Sequence, residues 1–134
     1  MDRPSLIAPT LDDFEAITSR AWEELPDGFR GLAGDVVFRI EDFADDEVLK
    51  DLGLEDPFEL TGLYQGVDLT RRSVMDPSPH VPMVFLFRRA ILEEWIESPG
   101  VTLEALIAHV LVHEVGHHFG LSDEEMDAIL EATP

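Results

Sequence analysis

Between His113 and Asp123 the chain reads His113-Glu114-Val115-Gly116-His117-His118-Phe119-Gly120-Leu121-Ser122-Asp123, with two histidines four apart and a glutamate beside the first. Residues four apart share one face of an α-helix, about 5–6 Å apart at Cβ, so the imidazoles of His113 and His117 can converge on one ion. At about 3.6 residues per turn, and with His113 set at zero, His117 falls at about 40° and Glu114 at about 100° around the axis. The glutamate therefore flanks the ion. Zn²⁺ lowers the pKa of a bound water toward about 7, and a neighbouring carboxylate can take its proton as the hydroxide attacks a carbonyl carbon. The spacing thus encodes metal-assisted hydrolysis.

The helix that carries these groups is expected to start at Thr102 as cap and run to Phe119, with Gly120 as its stop. Leu103, Leu106, Ile107 and Val110 cluster at about 20° to 120° from His113, so the core-facing stripe runs into the sector of His113, Glu114 and His117. The triplet should face inward, where leaving it unpaired would cost several kcal/mol and a metal would remove that cost. Ala105, Ala108, Val112 and Gly116 on the other side are small enough for a second element to approach closely. Gly120 also permits a sharp turn, after which a residue three further on, Asp123, can fold back toward the ion. Asp123 has a competing use as helix N-cap, a place Ser122 could equally fill, and Glu124 or Asp127 could substitute as ligand.

The remaining polar aromatics have structural readings. His118 lies about 140° from His113, too far to share the ion on a regular helix but placed to pack or to meet substrate. His109, one turn before His113, reads as structural support. Tyr64, the lone tyrosine, could donate to an oxyanion, although packing between glycines is its commoner use. Met126 reads as a packing residue of a last helix over 123–132.

Upstream, apolar residues at 11, 14, 17, 21, 22 and 25 predict a helix capped by Thr10 or Asp12 and closed by Pro26-Asp27-Gly28. Residues 35–41 predict a strand, 42–51 a helical turn or two, and 58–69 short strand pieces or a loop on the sheet. Arg71 to Pro82, with three prolines, suggests an irregular connection. Pro82 to Arg88 predicts a strand and Ala90 to Ile96 a short helix. Val84 to Arg88 is the candidate for an exposed sheet edge able to align an extended substrate.

At 134 residues with 45% hydrophobic content, one domain over 1–134 with one core is expected. There is no cysteine, so disulfides and thiolate sites are excluded and His, Asp and Glu must supply any metal site. A net charge of −20 weighs against binding nucleic acid or anionic membranes. Its ordinary meaning is solubility, and its sharper one is a preference for basic or neutral peptides. The N-terminus lacks a basic segment leading into a long apolar run, so the cytoplasm is the default expected location, and a monomer is the separate expectation for its assembly.

The run from His113 to Asp123 resembles the metzincin pattern H-E-x-x-H-x-x-G-x-x-H/D, whose last residue is the third ligand. By that resemblance the zinc ligands are His113, His117 and Asp123. Gly62 to Gly66, Leu69 to Arg72, Val84 to Arg89 and His113 to Asp127 look like the small bacterial zincin-like metallopeptidases, or minimal zincins. The resemblance covers the C-terminal half well and the first fifty residues loosely. It implies an α+β zincin fold, a small mixed sheet beside a central active-site helix, and a zinc peptidase with Glu114 as catalytic base and a peptide or protein as substrate. The rival expectations are a peptide-binding or regulatory module that cleaves little, and a structural metal in a closed four-ligand site.

Overall fold

A computed structural model describes residues 7–34, 36–65 and 82–133. In chain order these form α1 (Leu11–Glu24), α2 (Asp27–Ala33), β1 (Val37–Glu41), α3 (Asp46–Asp51), a 3₁₀ turn (Pro57–Glu59), β2 (Gly62–Gln65), β3 (Met83–Phe87), α4 (Arg88–Ile96), α5 (Leu103–His118) and α6 (Asp123–Glu131). The fold is α+β. The expected connection from Arg71 to Pro82 lies almost wholly outside the described residues, as does the segment from Leu69 to Arg72.

Most elements begin where their chemistry directs. Thr10 caps α1 in a capping box with Asp13, and Thr102 caps α5 by accepting from the Ala105 N–H at 3.1 Å. Helix α2 is the element that the sequence reading passed over, because Pro26-Asp27-Gly28 looks like a stop and seven residues carry little periodicity. Its Phe29 and Ala33, four apart, are nevertheless buried on one face.

The three strands lie in the order β1-β3-β2, with β1 parallel to β3 and β2 antiparallel to it. This corrects the expectation that Val84 to Arg88 forms an exposed edge: β3 is the central strand, and Arg88 already belongs to α4. Its near-continuous apolar run, Met83-Val84-Phe85-Leu86-Phe87, is the signature of a strand covered on both faces. Val84 and Leu86 join the main core with Phe14, Ile107, Leu111 and Val115, while Phe87 joins a smaller cluster with Ala44, Leu49 and Ala90, against which Phe85 packs. The edges are β1 and β2, and β2 is the one that lies against α5.

Leu103, Leu106, Ile107 and Val110 are all buried, as their stripe requires. On the other side Val112 and Gly116 are buried and Gly116 meets α6, whereas Ala105 stays exposed. No helix among the described residues is long and apolar enough to cross a membrane.

Candidate metal centre

Burial along α5 stops at Gly116, and the last turn projects beyond the packed layer. A helix of this length spans about 24 Å, and a five-residue strand only about 17 Å. The inward orientation expected of the whole triplet therefore holds for part of it. His113 and Glu114 are half-buried, but the His117 side chain is 62% exposed and that of Asp123 84%. The polar cluster forms a rim site, open on one side.

One nitrogen each of His113 and His117 and a carboxylate oxygen of Asp123 lie within 4.8 Å of one another. The His117 Nε2 to Asp123 Oδ1 distance is 3.7 Å. Donors around a tetrahedral zinc with bonds of about 2.0–2.1 Å are about 3.3 Å apart, so the widest pair of the group would close by about 1.5 Å at most on an ion. The Nε2 of His113 is buried and has no hydrogen-bond partner among the described residues. A buried nitrogen of that kind carries an uncompensated desolvation penalty, which a cation removes. Burial foremost, then the neighbouring His109 and His117, holds the His113 pKa below its ordinary value, with Asp123 and Asp127 opposing. Ligation requires that neutral form.

The turn that returns Asp123 to the helix has an identifiable cause. Gly120 adopts φ +75°, its N–H donates to the His117 carbonyl at 3.1 Å, and the Leu121 N–H donates to that of Gly116 at 2.9 Å. This is the paired Schellman arrangement. The cap of α6 is then Ser122, whose Oγ accepts from the Glu125 N–H at 3.1 Å, so the carboxylate of Asp123 is not used as a cap.

Glu114 is held from the sheet. Burial raises its pKa to about 7, against the opposing pull of His117 and of a hydrogen bond donated by the Tyr64 backbone N–H. A Cβ placed on Gly62 would lie 2.7 Å from Cγ1 of Val110, 3.1 Å from Cγ of Glu114 and 3.3 Å from the Phe85 carbonyl oxygen. Absence of a side chain at Gly62 is what lets β2 close on α5. Gly116 does the same for α6, since its Cβ would come within 2.5 Å of the Met126 sulfur. Met126 is fully buried there, the packing role expected of it.

A family model for zincin-like metallopeptidases matches residues 33–132. The chain belongs to that family. The match runs from the end of α2 through α6, and so takes in the sheet and the whole His113–Asp123 motif, leaving α1 outside. Among solved structures, it is similar to a conserved hypothetical protein from Thermus thermophilus, at 23% identity and a TM-score of 0.49, covering 82% of this chain and 94% of that one. No curated protein matches it.

The other singled-out residues fall around this centre. His109 stacks on His113 with ring centroids 4.1 Å apart, outside the donor group. His118 turns away from the donors and packs on Tyr64. Gly116 was expected to admit a second element, and α6 is that element, whereas the contributions of Gly62 and the Tyr64 N–H escaped the sequence reading. The glycines stood in the sequence, but which neighbour each admits is a tertiary fact, and a backbone donor has no residue signature.

Proposed function

We propose that this protein is a zinc-dependent peptidase in which His113, His117 and Asp123 hold the metal and Glu114 is the catalytic base. The observation that carries the reading is a three-donor group of His113, His117 and Asp123 in which the buried Nε2 of His113 has no hydrogen-bond partner among the described residues, next to a carboxylate whose pKa lies at about 7. Bound there, zinc would supply a Lewis acid for the carbonyl and a water made more acidic. The carboxylate of Glu114 accepts the proton of the attacking water and returns it to the leaving amine, a double task suited to a group that titrates near neutrality. The Tyr64 N–H fixes that carboxylate. A three-donor group open to solvent also fits a catalytic metal better than a closed structural one.

The free edge of β2 offers a place for an extended substrate. The Phe87 N–H bonds the Thr61 carbonyl at 2.9 Å, so alternation along the antiparallel pair turns the backbone groups of Leu63 toward β3 and those of Gly62 and Tyr64 outward. Peptide addition along Gly62 and the Tyr64 carbonyl, the Tyr64 N–H being directed to Glu114, would bring a scissile carbonyl alongside that carboxylate. The net charge of −20 favours neutral or basic peptides.

The test begins with elemental analysis of protein purified without an affinity tag, alongside His113→Ala and Asp123→Ala. Stoichiometric zinc, lost in both variants, is expected, followed by peptide hydrolysis that Glu114→Gln abolishes. Wild-type protein that cannot be loaded with zinc would sink the peptidase reading, and zinc with peptide binding but no turnover would leave a binding module.

A further inference from the structure

Three rings beside Glu114 have no task in this mechanism. The Tyr64 ring lies 4.3 Å from that of His118 and 6.0 Å from that of Phe119, and the last two are 5.1 Å apart between centroids. Tyr64 comes from β2, His118 from the last residue of α5, and Phe119 from its C-cap. Phe119 is 39% exposed and His118 is exposed, while Tyr64 is half-buried against the core, so the group is a shelf anchored on the core and open to solvent on its outer side.

Its position is set by the residue it adjoins. The shelf shares Tyr64 with Glu114, whose carboxylate receives the Tyr64 N–H. Around the helix axis the metal donors lie on one side of Glu114, and His118 lies about 40° beyond it on the other. An extended peptide advances only about 3.3–3.4 Å per residue, so the residues flanking a carbonyl at Glu114 are the ones that come up to rings placed one helical turn from Glu114 and on the strand beside it.

Resting on the peptidase reading, we infer that Tyr64, His118 and Phe119 form the side-chain subsite for an aromatic residue adjoining the scissile bond. The shelf presents ring faces and edges at the separations that aromatic pairs adopt. A cationic side chain is the rival occupant of such rings, and the Lys peptide below separates the two. The net charge of −20 disfavours an acidic one. Discrimination between aromatic and small side chains is therefore expected at one of the two positions flanking the cleaved bond, and absent at the other.

The experiment titrates blocked peptides of one sequence into Glu114→Gln protein by calorimetry, with Phe, Leu, Lys, Glu or Ala placed in turn on each side of the central bond. It is run with and without added zinc, so protein that takes up no metal still reports on the shelf. The Phe peptide is expected to bind about 10–100-fold more tightly than the Ala peptide at one position. Tyr64→Ala and Phe119→Ala should erase most of that preference, and Phe119→Leu, which keeps apolar bulk at an exposed site, should weaken it with the fold intact. Equal binding of Phe and Ala peptides, a preference for Lys, a preference that survives the substitutions, or no binding at all would overturn the subsite. Ring-selective binding by a wild type that cleaves none of the peptides would instead overturn the peptidase reading alone. Cleavage without ring preference would overturn the subsite alone.

Discussion

Helix α5 is approached from two flanks, each through a glycine, and the two contacts differ in stiffness. On the β2 flank, Gly62 faces a β-branched valine fixed in a helix, together with a backbone carbonyl. On the α6 flank, Gly116 faces the unbranched thioether of Met126. The first flank holds Glu114 and the second brings in Asp123. The difference teaches that Glu114, the proposed catalytic base, sits in a rigid seat, whereas Asp123, the proposed third donor, rides on an element whose packing can adjust by the small shift that closing on an ion would require.

Removing the chemistry of the β2 flank alone should have the largest effect. Glu114→Gln keeps the acceptor for the Tyr64 N–H, so turnover is expected to fall by about 10²–10⁴-fold or more with zinc content unchanged. Loss of zinc in that variant would show that the two flanks are not separable. On the α6 flank, Met126→Ala opens a cavity under Gly116 and should lower unfolding free energy by about 2–5 kcal/mol in denaturant titration.

Gly62→Ala pushes a methyl into Val110 and Glu114, with an expected loss of about 1–3 kcal/mol and reduced turnover. Gly116→Ala should cost no more than about 1 kcal/mol, because the methionine can turn aside and alanine favours the helix by about that amount. If Gly116→Ala proves the more damaging of the pair in the same titration, the assignment of stiffness is reversed.

The pH dependence of metal-free protein sharpens the picture of the Glu114 seat. Its pKa of about 7 in the folded chain exceeds the ordinary 4.5, so folding favours the protonated form. The resulting penalty is absent below pH 4.5, grows as pH rises, and is complete above about 7. Glu114→Gln escapes it. In chelator, the variant should therefore match the wild type near pH 4.5 and exceed it by about 1–3 kcal/mol at pH 8, after allowance for partial exposure. Parallel stability curves across that range would remove burial as the cause of the shift.

Much of this was legible in the residues. The 3.6-residue period placed α1 and α5, Thr10 and Thr102 marked their starts, and Gly120 marked the end of the second, because caps and stops act over three or four neighbouring residues. Helix α2 was missed because its signal is two apolar residues, and β3 was assigned to an edge although its unbroken apolar run belongs to a covered strand. At the centre, the motif gave His113, His117 and Glu114 by helical geometry, and the turn at Gly120 gave Asp123 a way back.

What the sequence by itself determined is therefore what depends on near neighbours: the amphipathic helices, their ends, and three donors on one helix and its following turn. Tertiary structure alone decided which strand lies beside α5, that Tyr64 offers its backbone N–H to Glu114, and how far the site opens to solvent. Those outcomes depend on contacts between elements distant in the chain. They are fixed by how the volumes of Gly62, Val110, Gly116 and Met126 fit together, and no local pattern encodes that fit.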